Sequence, residues 1–174
     1  DVGHLKHERS LGAMAARPLQ GRDTIGTRSE GWEKIVSERP QFSIVIPTRN
    51  RAETLGPAIE TCLSQDFEDF ELLIVDNASS SATKELVESI TDSRLKYIRR
   101  DEPLAMTHNW NSALSETSGQ WICFIGDDDG LMPGALRTLS EITEATQARA
   151  LRWDYVVYTW PDFPIAEMSS KLSV

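Results

Sequence analysis

Apolar residues along this chain fall into two alternating patterns. Short, nearly unbroken runs stand at residues 42–46 (FSIVI), 70–75 (FELLIV), 95–98 (LKYI) and 121–125 (WICFI). Runs of this length, rich in β-branched and aromatic residues, read as strands buried on both faces. Between them the apolar positions recur at helical spacing. Leu55, Ala58, Ile59, Cys62 and Leu63 mark a helix over 52–65, and Leu86, Val87 and Ile90 a second that starts after the Ser79–Ser81 cap candidates. Met106, Trp110, Ala113 and Leu114 mark a third over 105–117, with all four expected to point inward. A fourth covers 134–148, and a last apolar run at 155–160 (YVVYTW) predicts a final strand. Strand and helix alternate throughout. That order predicts an α/β fold: an open, mostly parallel, Rossmann-like sheet with helices on both faces.

Residues 1–40 show weak periodicity and are expected to form a flexible arm, with one short helix at 31–38 offering Trp32, Ile35 and Val36 to the core. The folded domain is expected over 41–160, and a polar tail over 161–174.

Composition narrows the function. Of 174 residues, 40% are hydrophobic, enough for one core. The formal net charge is −9: residues 1–41 carry +1 and the remainder −10. A nucleic-acid binder would need a basic face, so that class is excluded. Cys62 and Cys123 fall within apolar patterns and read as small buried hydrophobes in a reducing compartment. His4, His7 and His108 are too scattered to form a zinc site. No apolar run is long enough for a membrane-spanning helix, and no signal-peptide pattern opens the chain. The expected location is the cytoplasm, either free or peripheral at the cytoplasmic membrane face.

Three predicted strands end in polar clusters: Thr48 to Arg51, Asp76-Asn77, and Asp127-Asp128-Asp129 between Gly126 and Gly130. In open parallel sheets, ligands sit beyond the carboxyl ends of the strands, where strand order reverses. The three clusters can therefore meet in one crevice. Adjacent carboxylates repel one another and gain stability from a hard divalent cation, which takes one or two of them and fills its shell with phosphate and water. In an extended turn Asp127 and Asp129 point one way and Asp128 the other. Alone, such a triplet is most often a solvated turn; its convergence with the other two strand ends is what points to function.

The stretches FSIVIPTRNRAETLGPAIETCLSQDFEDFELLIVDNAS and NWNSALSETSGQWICFIGDDDGLMPGALRTL resemble the family 2 glycosyltransferases of the GT-A fold, in order and in spacing, from about residue 42 to 139. The resemblance implies transfer of a sugar from a nucleotide-sugar donor, a UDP-sugar by expectation, to an acceptor (glycan, lipid or protein), with inversion and with Mg²⁺ or Mn²⁺. By position, Pro47, Thr48 and Arg49 then line the nucleoside pocket. Asp76 bonds the base, and a carboxylate suits the imide N–H of uracil. Asp127 lies towards the ribose, Asp129 holds the metal on the diphosphate together with Asp127, and Asp128 contributes more weakly to the donor site. Such enzymes belong to cell-wall and polysaccharide synthesis.

The pattern has departures. Gly126 stands where an acid is frequent, and Ala105-Met106 where a basic residue is frequent. The later half that would supply the general base has no counterpart in a convincing motif, so the chain reads as the donor-binding half, truncated at its C-terminal side. The competing reading is a non-catalytic nucleotide-sugar-binding or interaction module. A nucleotidyltransferase is disfavoured, because no Gly-rich, Lys-containing phosphate loop occurs.

Overall fold

The computed structural model describes residues 14–16 and 39–153. Among the described residues, six strands form one sheet: β1 (Met14–Ala16), β2 (Phe42–Thr48), β3 (Phe70–Asp76), β4 (Leu95–Arg99), β5 (Trp121–Phe124) and β6 (Ala150–Arg152). Among the same residues, helices α1 (Ala52–Leu63), α2 (Ser81–Glu88), α3 (Met106–Ser115) and α4 (Ala135–Ala145) lie between them. The spatial order is β4-β3-β2-β5-β1-β6. Strands β2 to β5 pair in parallel. From β2 the chain steps outward to β3 and β4, then returns to place β5 on the other side of β2. The carboxyl ends of β2 and β5 therefore flank the point where strand order reverses.

Alternate residues of each strand serve opposite layers, which is why the runs lack a polar face. On one side Phe42, Ile44 and Ile46 of β2 join Leu72, Ile74, Trp121 and Cys123, and Leu55 and Ile59 of α1, Val87 of α2 and Leu136 of α4 cover them. On the other side Val45, Leu73, Val75 and Ile122 pack with Ala113 of α3. Helices thus lie on both faces, as expected. Fully burying an aliphatic side chain of this size stabilises by about 1.5–3 kcal/mol.

At the amino end of the sheet, opposite the crevice, one carboxylate ties the layers together. Glu71 Oε1 accepts from Ser43 Oγ at 2.5 Å and from the Ser118 backbone and hydroxyl at 2.6 and 2.9 Å, while Lys96 Nζ reaches Oε2 at 2.5 Å. Burial alone would raise the Glu71 pKa, but these donors outweigh it and hold it below the ordinary carboxylate range. Gly119 is required beside this latch. A Cβ there would stand 2.5 Å from the Ser43 backbone nitrogen.

Several expectations need correction. Met14–Ala16, assigned to a flexible arm, is a strand antiparallel to β5 and β6. Three residues are too few to show a period, and their place comes from the free edge of β5. In α3 the buried residues are Asn109 and Ala113, whereas Met106 and Leu114 are 64% and 43% exposed. The helix is rotated from the expected face so that Trp110 stacks on Phe124, ring centroids 5.6 Å apart. The Asn109 amide then faces the Val75 carbonyl. Cys62 and Cys123 are buried and unbridged, as read from the pattern, and burial raises both thiols, Cys123 to about 12. The strand expected at 155–160, the helix at 31–38 and the tail at 161–174 lie outside the described residues.

Candidate functional site

The crevice is built from the loops that follow β2, β3 and β5. In the sheet register Thr48 sits directly beside Asp76. On its other side Thr48 donates from Oγ1 to Asp127 Oδ2 at 2.8 Å, a bond buried between the two strand ends. One threonine therefore links all three clusters. Pro47 is half-buried, and the Arg49 side chain is exposed while its backbone N–H serves Asp127.

The loops are cross-braced. Asn50 has a left-handed backbone, φ 57°, a conformation that asparagine tolerates. Its N–H donates to Ser79 Oγ at 2.9 Å and its Oδ1 accepts from Ser80 N–H at 2.8 Å, joining the first loop to the second. Asn77 clamps the loop before α3. Its Nδ2 donates to the Leu104 carbonyl at 2.9 Å, and its Oδ1 accepts from the Leu104 N–H at 2.7 Å. Beneath the acidic triplet, Thr61 Oγ1 accepts from Leu131 N–H at 3.1 Å. The Gln65 amide bridges the Met132 carbonyl and the Leu136 N–H at 3.0 and 3.3 Å. Helix α1 thus fixes the loop that carries the acids.

Asp76 is fully buried. Its Oδ1 accepts from Ser79 N–H at 2.8 Å and its Oδ2 from the Tyr97 hydroxyl at 2.6 Å. A carboxylate offers about four lone-pair positions, so two are in use here. Burial and the neighbouring Asp76 charge raise the Tyr97 pKa, which keeps the phenol a donor.

The three acids of the triplet do different work. Asp127 is almost wholly buried and bonds Thr48. Asp128 is exposed, and its Oδ2 lies 2.5 Å from Arg51 Nη1, which also stands 3.5 Å from Asp127 Oδ1. Asp129 folds back so that Oδ2 accepts from the Gly126 N–H at 3.2 Å. Gly126 makes that possible, because a Cβ there would meet Asp129 Oδ2 at 2.8 Å and Asp128 Oδ1 at 2.9 Å. Burial raises the pKa of both Asp127 and Asp129, and the Asp128 charge adds to it.

Among the described residues, no three His, Cys, Asp or Glu side chains form a ready-made metal cage. A Mg²⁺- or Mn²⁺-type ion does not need one, since one or two carboxylates suffice when phosphate and water complete the shell. The donor set fits such an ion: two carboxylates, Asp127 largely buried and Asp129 partly so, whose proton affinity is raised by burial and by the Asp128 charge.

A family model described as glycosyl transferase family 2 matches residues 43–165. The chain belongs to this family. A similar protein is the GalNAc(5)-diNAcBac-PP-undecaprenol beta-1,3-glucosyltransferase of Campylobacter jejuni, 37% identical over 105 residues, 59% of this chain and 34% of that protein. Among solved structures, S. aureus TarS 1–349 superposes with a TM-score of 0.57 at 24% identity, over 60% of this chain and 32% of that one. The mannosyltransferase PcManGT from Pyrobaculum calidifontis, in complex with GDP-Man and Mn²⁺, superposes with a TM-score of 0.50 at 25% identity, over 62% of this chain and 32% of that one. The fold of this family 2 member is of the GT-A type. The chain spans about one third of the length of these relatives.

Of the residues expected at the site, Thr48 stands beside Asp76 in the sheet register and is hydrogen-bonded to Asp127, with Asp128 and Asp129 at the rim. Tyr97 was not among them, and Arg51 stood there only as the end of the Thr48–Arg51 cluster, with no role of its own. Arg51 carried a weak signal, being the basic residue nearest the start of α1. Tyr97 carried none, because its approach to Asp76 depends on the β3–β4 register, which sets it beside Ile74.

Proposed function

We propose that this domain binds a nucleotide-sugar donor, with UDP as the nucleotide, in the crevice between β2, β3 and β5, and that it is the donor half of a metal-dependent, inverting glycosyltransferase. The carrying observation is the arc Asp76–Thr48–Asp127 at the reversal of strand order, with Asp129 half-buried beside it. The PcManGT complex supports the reading, since that relative binds a nucleotide sugar together with Mn²⁺.

Pro47, Thr48 and the Arg49 backbone form the wall against the nucleoside. The free lone pairs of Asp76 accept the imide N–H of the base, and Tyr97 holds that carboxylate in place. Asp127 faces the ribose, Asp129 and Asp127 hold Mg²⁺ or Mn²⁺ against the diphosphate, and Asp128 supports them. The cation, when bound, supplies Lewis-acid stabilisation of the departing nucleoside diphosphate. Inversion needs a base opposite the leaving group. In this reading Asp76 and Asp127 serve the nucleoside, so we place the general base outside residues 39–153.

The test is calorimetric titration of UDP and GDP, each with and without Mn²⁺, into wild type and Asp129→Asn. Mn²⁺-dependent UDP binding lost in Asp129→Asn is the expected result. Guanine also carries a ring N–H, so preference for GDP would retain the crevice and change the base. Absence of any nucleotide binding would overturn the reading. A relative's acceptor, undecaprenol-linked in Campylobacter jejuni, makes lipid-linked saccharides the first acceptors to assay with the donor identified.

A further inference from the structure

Arg51 immediately precedes α1 and reaches across the crevice to the loop after β5. Its Nη1 stands between two members of the triplet, 2.5 Å from Asp128 and 3.5 Å from Asp127. The guanidinium therefore supplies positive charge where adjacent carboxylates most need it. Both partners in the shorter contact are open to water, with side-chain exposures of 54% and 53%. Ion pairs this exposed contribute about 0–1 kcal/mol, so the contact can open at little cost. Among the described residues only Nη1 of this guanidinium is engaged, which leaves Nη2 and Nε as further donors. A planar fork with free donors suits two-point binding of phosphate oxygens.

We propose that Arg51 is an internal counter-ion of the triplet that competes with the divalent cation for Asp127 while paired with Asp128, and transfers to the donor's diphosphate when the cation binds. The role rests on the crevice being the donor site and gives that site a phosphate-binding residue. Before donor arrives, Arg51 lowers the repulsion among the acids and keeps the loop after β5 in place. It also lowers the affinity for a free cation, because one of the two ligands, Asp127, stands beside the guanidinium. With nucleoside diphosphate present, Asp127 and Asp129 would hold the cation, and Arg51, released from Asp128, would hold the phosphate oxygens. The cation and the diphosphate then bind with positive coupling, since each removes the partner that opposed the other.

The test uses the full chain and reads binding rather than turnover. Mn²⁺ alone, and UDP at saturating Mn²⁺, are titrated into wild type, Arg51→Gln, Arg51→Lys and Asp129→Asn, with thermal melts confirming that each variant is folded. Arg51→Gln is expected to bind Mn²⁺ alone several-fold more tightly, yet to bind UDP about tenfold more weakly, the size of one lost charge-assisted hydrogen bond. Arg51→Lys, which keeps the charge but loses the fork, should restore the weak Mn²⁺ affinity and recover UDP binding only in part. Opposite signs for the two ligands are the signature. If Arg51→Gln changes both affinities in the same direction, or neither, while Asp129→Asn still abolishes binding, the counter-ion role is overturned and the donor site stands. If wild type binds no UDP in any condition, the donor reading and this inference fail together.

Discussion

The hydroxyl of Thr48, the last residue of β2, donates to the carboxylate of Asp127, just past β5, at 2.8 Å. The two residues are 79 positions apart in sequence. Their bond closes the gap where strand order reverses and fixes the direction of the first acid of the triplet. Thr48→Val keeps the shape and removes the donor. The expected loss is about 1–3 kcal/mol of stability, because a buried carboxylate is left short of a partner. UDP affinity in Mn²⁺ should fall as well, and Thr48→Ser should restore both. Urea denaturation beside calorimetry measures the two effects separately.

Gly126→Ala tests the fold-back of Asp129. The added methyl would overlap two carboxylate ends rather than backbone. These side chains can swing away, so the melting temperature should stay within a few degrees of wild type. Mn²⁺-dependent UDP binding should weaken by about tenfold or more, equivalent to ~1.4 kcal/mol. Unchanged binding would show that the orientation of Asp129 in this loop is unimportant.

Asp129→Asn should separate stability from binding. The folded state raises the pKa of Asp129 and of Asp127, so it binds more protons than the unfolded chain just above the ordinary aspartate value of about 3.9. By linkage, their contribution to stability falls as pH rises through that window. The Asn variant removes one of the two groups and can keep the bond from Gly126 through its amide oxygen. Melts from pH 4 to 7 without metal should show a shallower decline and a melting temperature at pH 7 at least equal to wild type. Mn²⁺ should raise the melting temperature of wild type and not of the variant.

Glu71 provides the opposite sign at the opposite end of the sheet. Its hydrogen bonds lower its folded pKa, so its stabilisation is complete above the unfolded glutamate value, about 4.3, and is lost as pH falls through the folded value. Glu71→Gln, which exchanges an ion pair for a weaker amide contact, should cost about 2–3 kcal/mol at pH 7. It should also lose less stability than wild type on acidification below pH 4. UDP affinity of the folded variant should be unchanged. A large loss of affinity would mean that the latch and the crevice are coupled through β3.

The apolar runs and their spacing were sufficient to locate β2 to β5 and the four helices, because burial on both sheet faces leaves an unbroken hydrophobic signal and helical burial leaves a 3.6-residue one. The same pattern placed Thr48, Asp76 and Asp127 at strand ends, and the alternation of strand and helix implied that those ends share an edge. Short-range pattern carried no information about rotation or partners. The set Met106, Trp110, Ala113 and Leu114 fits several helix orientations, and only contact with Phe124 and the Val75 carbonyl selects one. Met14–Ala16 is a strand only because β5 has an edge to offer it. That Asp76 is held by Tyr97, and that Arg51 bridges Asp127 and Asp128, depends on strand register and loop approach across 21 to 77 residues of sequence. Local sequence fixes where a residue stands along its own element; which charges meet is decided when packing brings distant elements into register.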